Sequence, residues 1–197
     1  MLLADSPQNK AAGSRRMMKN PTTKQLQLSI SVICKVIGQI PCFHIYEKHV
    51  AHRFATTVPE ISIKAVTHNS FLDSALMNLR SFNEFFKPDG RLDDIRSYHY
   101  PIQSMPPFLT HSEEQDINKY LAHISALRSD IVTKPWLIAN ITVRGLQHGI
   151  QFLSLIEAGF PLHTEAASIE SREIRDVARL LIVSLGAESL LSAGAKQ

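Results

Sequence analysis

Between Ile63 and Phe86 the apolar residues return every three or four positions, at Val66, Phe71, Leu72, Ala75, Leu76, Leu79, Phe82 and Phe86. That period belongs to a helix and not to a strand. A stripe this wide has to be buried, so the rest of the chain must supply elements that pack against it. Lys87-Pro88-Asp89-Gly90 ends the run with turn chemistry.

The partners are legible on both sides. Leu26, Ile30, Ile33, Ile37 and Ile40 fall at helical spacing until Pro41 stops them. The alternation across Leu26 to Val32 leaves a strand open as the second reading there. A weaker helix is expected from Cys42 to Arg53, burying Phe43, Tyr46, Val50 and Phe54. Residues 88 to 112 hold four prolines and read as a long irregular connection. A helix is then expected from Ser112 as its cap to about Arg128, with Glu113 and Glu114 in a first turn that favours negative charge. Its apolar face is Ile117, Tyr120, Leu121, Ile124 and Leu127. Another helix should run from Thr133, with Pro135 in its first turn, to Ala158 before Gly159. Gly145 and Gly149 on it predict a close helix crossing. A last helix is expected over Glu170 to Leu185, with Ile174, Val177, Leu181 and Leu185 as its stripe and Gly186 closing it. The fold class is therefore all-α, a bundle of five to six helices. Residues 1–24 read as a flexible N-terminal arm, 25–158 as the bundle core, and 159–197 as a C-terminal helix and tail packed on or appended to it.

Composition narrows the function classes. With 44% hydrophobic and 20% charged residues, the 197-residue chain can bury a proper core. Its net charge of +3 is small, and Lys10, Arg15, Arg16, Lys19 and Lys24 hold part of the excess in the first 24 residues. Charge alone gives no nucleic-acid interface. Cys34 and Cys42 make no disulfide framework, which fits a reducing compartment. No run of about 18 apolar residues and no secretory segment is read, so a cytoplasmic protein without a membrane partner is expected.

The polar residues near the expected core helices form a few constellations. Arg80 lies beside Asn83 and Glu84, where its planar guanidinium can clamp a carboxylate or phosphate or make a structural ion pair. Asp93 and Asp94 are adjacent; a pairing with Arg80 that pins the loop to the bundle is expected, and no metal site. Asn118, Lys119 and His123 open a third set, with Lys119 and His123 stacked at i and i+4. His123 can serve as general acid or base, with Lys119 steadying phosphate charge, or it can bond a loop carbonyl. His44, His49 and His52 read as a surface helix lacking further ligands. No cofactor signature is present.

Read in order, these motifs run Leu-Arg-Ser-Phe-Asn-Glu-Phe-Phe (79–86), Arg-Leu-Asp-Asp-Ile (91–95), Ile-Asn-Lys-Tyr-Leu-Ala-His-Ile (117–124) and Lys-Pro-Trp (134–136). The stretch from about residue 60 to 158 resembles small bacterial proteins related to the HEPN-like helical domains. The resemblance implies a helical bundle that pairs with a second copy and, in many members, a metal-independent ribonuclease of toxin or defence type. In the family an Arg, four to six residues and then a His form the motif. Here His123 matches the His, Asn118 stands where the Arg would, and Lys119 is the nearest cation.

Two functions follow as expectations. One is a non-catalytic helical binding or assembly module; the other is a metal-independent endoribonuclease using His123 with Lys119, Asn118 and Arg80. Homodimerisation is expected from the long apolar stripes and from Gly145 and Gly149, with RNA or a protein as the further partner.

Overall fold

The computed structural model describes residues 20–51, 62–89, 94–122, 138–161 and 165–194. Among them are six α-helices and no strand: α1 (Thr23–Gln39), α2 (Cys42–His49), α3 (Ser62–Phe85), α4 (His111–Ala122), α5 (Ile138–Gly159) and α6 (Glu165–Gly194). The all-α expectation holds, and the strand reading of Leu26–Val32 is excluded by α1.

Local chemistry sets the helix ends. The Thr22 hydroxyl accepts from Gln25 N while the Gln25 side chain accepts from Thr22 N, a capping box that starts α1 inside the expected N-terminal arm. Thr110 does the same for α4: its hydroxyl accepts from Glu113 N at 3.3 Å and Glu113 Oε2 accepts from Thr110 N at 2.8 Å. Thr110, not Ser112, is therefore the cap. Gly186 does not end the last helix either, which begins at Glu165 and continues to Gly194.

The core is one cluster. Leu26, Ile30, Ile33, Ile37 and Ile40 of α1 meet Leu76, Leu79, Phe82 and Phe86 of α3 and Leu146, Phe152, Leu153 and Ile156 of α5. The Pro-rich connection belongs to it as well, through Tyr100, Met105, Phe108 and Leu109. Phe152 is its aromatic hub, with Phe85 edge-on at 5.1 Å and Tyr100 at 5.5 Å. Two residues expected in buried stripes lie outside: Val66 of α3 is 64% exposed and Val177 of α6 is 49% exposed.

The predicted close crossing is present. A methyl group on Gly145 would stand 2.9 Å from Leu79 Cδ2, and one on Gly149 would stand 3.0 Å from Ile37 Cδ1. These glycines let α5 approach α1 and α3 of the same chain, so they are occupied within the bundle. Within Thr23–His49 an 18-residue window reaches a mean hydropathy of 1.6, long and apolar enough by composition to cross a membrane, where the sequence reading saw no such run. In this structure the inner face of α1 is instead part of the bundle core.

Candidate functional site

α1 and α3 do not close on each other along their whole length. Between them and the 94–96 segment lies a cavity of about 760 Å³. Its wall is apolar, with Val32, Ile33 and Val36 from α1, Met77, Phe82 and Phe85 from α3, Ile95 from the connection and Leu121 from α4. Its polar side is formed by Arg80, Glu84, Asp89, Asp94 and Arg96, with Ser29 on α1. Leu28, on the same exposed face of α1 as Val32, is 64% exposed. A site with apolar walls and a few convergent charges suits a ligand having both characters, and its volume is in the usual range for small-molecule pockets.

Arg96 holds the polar side in place. It is buried; its Nη2 donates to Asp94 Oδ2 at 2.7 Å and its Nη1 donates to the Glu84 carbonyl at the end of α3. The guanidinium thus ties the connection to α3. Nearby, Lys87 donates to Glu84 at 2.8 Å and also to Glu114. Burial alone would lower the Lys87 pKa, but the two carboxylates outweigh it and raise it. The Glu114 carboxyl is lowered, chiefly by the hydrogen bond from Lys87. Ser29 is backed by Tyr100: the two hydroxyls are hydrogen-bonded, and Tyr100 Oη donates to Leu26 O at 2.9 Å. Burial pushes the Tyr100 phenol up to about 12, so it stays protonated as a structural donor.

The residues proposed from sequence separate in space. Arg80 lines the cavity and makes no hydrogen bond or ion pair with any described residue. The expected ion pair is replaced: Asp94 binds Arg96, two positions along, and Asp93 lies outside the described residues. Asn83, the other polar neighbour of Arg80, is a structural clamp. Its Oδ1 accepts from Phe108 N and Leu109 N, both at 2.9 Å, and the residue is fully buried. On α4, Lys119 is exposed and Asn118 is half-buried with its Oδ1 unpartnered. His123, His52 and the Lys134-Pro135-Trp136 segment lie outside the described residues. Leu121, two positions before His123 in sequence, lines the cavity with Arg80.

The thiols are held as thiols. Burial pushes Cys34 up to about 12, helped by the Glu170 charge, and raises Cys42, which donates to Phe71 O. Among the described residues no three His, Cys, Asp or Glu side chains converge as metal ligands. Sequence reasoning missed Arg96, Met77, Val32 and Val36 as lining residues. Val36 and Met77 carried no periodic signal for a cavity, and Arg96 looked like one more charge in a loop.

No family model, no curated protein and no solved structure matches this chain. The HEPN-like resemblance gains nothing from these comparisons.

Proposed function

We propose that this chain is a non-catalytic helical binding module whose α1–α3 cavity takes the apolar part of a ligand or partner, with Arg80 at its polar end. The observation that carries this reading is the combination of apolar walls with an arginine that no described residue pairs. Glu84 and Asp94 are already engaged by Lys87 and Arg96, so Arg80 remains available to an incoming acceptor. The probe that tests it is an anilinonaphthalene sulfonate, which joins an aromatic body to one anion. Saturable binding with one site per chain is expected. Val36→Trp, which fills the cavity, should abolish it, and Arg80→Ala should weaken it about tenfold, near 1.4 kcal/mol. Unsaturable binding, or equal binding by Val36→Trp, refutes the reading.

A second reading is a metal-independent endoribonuclease in which His123 acts with Arg80, Asn118 and Lys119. Its support is that Arg80 and Leu121, close in sequence to His123, line one cavity. Incubation with total RNA in the absence of divalent metal tests it. Cleavage lost in His123→Ala supports it, and cleavage equal in the variant removes His123 from any role.

A further inference from the structure

The α1–α3 cavity has a defined length as well as a volume. Its lining runs from Ser29 to Val36 on α1 and from Met77 to Phe85 on α3, seven and eight positions along the two helices. At 1.5 Å per residue that is about 10 to 12 Å, the reach of an extended medium-length alkyl chain. Val32 on α1 is 59% exposed and Met77 on α3 is 57% exposed, whereas Phe82 and Phe85, which also line the cavity, are buried. Apolar side chains left open to water beside buried ones call for an apolar occupant lying along both helices.

The polar lining decides what that occupant carries. Arg96 binds Asp94 and Lys87 holds Glu84, so the charges left over on the lining are those of Arg80 and Asp89. Asp89 stands beyond the end of α3, past Pro88, whereas Arg80 stands on the wall itself between Met77 and Phe85. A head group whose chain lies on the apolar walls therefore meets the arginine. An exposed guanidinium suits a planar monoanion, which it holds through two parallel N–H donors. Three carboxylates on the same lining disfavour a head group with two negative charges. A peptide is a poor fit as well. Ser29 and Ser81 are the uncharged hydrogen-bonding side chains of the lining, and the Ser29 hydroxyl is taken up by Leu26 O and Tyr100. Peptide N–H and C=O groups laid there would go unmatched, a cost that an alkyl chain does not incur.

We propose that the α1–α3 cavity binds a single-chain alkyl monocarboxylate, with the carboxylate on Arg80 and the chain against Val32, Val36 and Met77. This rests on the reading of the cavity as a binding site and names the ligand class within it. Displacement of the anilinonaphthalene sulfonate from the full chain tests it, with each competitor kept below its micelle concentration and the dye's own affinity measured for each variant. Decanoate should displace the dye at one per chain, about fifteenfold more tightly than octanoate for its two further methylenes. Decanol, the same chain without the charge, should bind about tenfold more weakly than decanoate. Arg80→Gln should erase that difference by weakening decanoate alone, which a merely apolar cavity would not do. Saturable dye binding with equal displacement by decanoate and decanol leaves the cavity a binding site and overturns the carboxylate. Tighter displacement by decylammonium or decyl phosphate, or no dependence on chain length, overturns it too. Absence of saturable dye binding removes both readings together.

Discussion

α5 and α6 are neighbours built from the same kinds of residue, yet they stand in different surroundings. α5 buries Ile138, Ile141, Thr142, Gly145, Leu146, Gly149, Phe152, Leu153 and Ile156, because α1 and α3 press on it from one direction and α6 from another. α6 touches α5 and α1 along one face and leaves Leu180 and Val183 outside. Hydrophobicity is therefore a poor guide to how much a position matters in this chain. What decides is whether another part of the bundle already fills the space around it.

The largest test of that contrast is truncation. Phe152→Ala should lower the unfolding free energy by about 3–5 kcal/mol, since the hub of the aromatic cluster leaves a cavity its neighbours cannot fill. Gly149→Val should lower it by about 1–3 kcal/mol through overpacking against Ile37. Leu180→Ala should change the stability of a single chain by no more than about 0.5 kcal/mol. Urea titrations measure all three. Similar losses at Phe152 and Leu180 would erase the distinction between the two helices.

Asn83 extends the comparison to a polar group. It stands on α3 among phenylalanines and holds two backbone N–H groups of the connection. Asn83→Leu leaves both donors buried without an acceptor and should destabilise by about 2–3 kcal/mol. Arg80→Leu, one turn earlier and exposed, should be within about 0.5 kcal/mol of the parent. A loss at Arg80 as large as that at Asn83 would make Arg80 a structural residue after all.

How much of this was legible divides along the same line. The periods of α1, α3 and α5 announced themselves because each has a buried face of regular spacing. The crossing at Gly145 and Gly149 was readable for the same reason, small residues one turn apart on an apolar helix. The end of α6 was misread because glycine in a helix is ambiguous from sequence: Gly186 ends nothing, and the chain continues as helix to Gly194. The cap of α4 was misplaced by two residues because Thr110 and Ser112 both have a Glu or Gln three positions on, and only the geometry chooses Thr110. The cavity was not legible at all. It is made by α1, α3, α4 and the 94–96 segment meeting at one place, and no local pattern encodes a gap between helices. Arg80 was found by type, while its expected partner Asp94 belongs to Arg96 because residues close in sequence in an extended segment reach each other first.

Titration offers a further separation of regions. Burial lowers the pKa of His148, although its Nε2 is within 2.7 Å of Pro106 O, and burial with the nearby Arg96 charge lowers that of His99. Both folded values lie below the unfolded one, so the stability they carry is present above about pH 6.5 and is lost as pH falls through the folded values. The Glu113 carboxyl also lies low: burial opposes this, but the Thr110 amide and hydroxyl and the Arg144 guanidinium outweigh it. Its share, with that of Glu114, is lost further down, through the carboxylate range. Lys87 acts in the opposite sense, its share being present below the ordinary lysine value and lost as pH rises through its raised one. Stability should therefore be highest from neutral to mildly alkaline pH. His148→Gln should flatten the slope below about pH 6.5; an unchanged slope would remove His148 from this account. Thr110→Ala should lower stability by about 1 kcal/mol and Ser112→Ala by less than half of that, which separates the two candidate caps.

A small effect separates the glycines of α5 and α6. A glycine inside a helix is destabilising relative to alanine by about 0.5–1 kcal/mol, because the unfolded chain loses more freedom on folding. At Gly149 that gain is opposed by Ile37, 3.0 Å from where the methyl would sit, so Gly149→Ala should bring no stabilisation. At Gly186 an added Cβ meets nothing within 4 Å, so Gly186→Ala should stabilise a single chain by about 0.5–1 kcal/mol. Denaturant titrations measure both variants. If the gain at Gly186 is absent, the C-terminal turns of α6 are not populated as helix in solution, and the contrast between the two glycines fails.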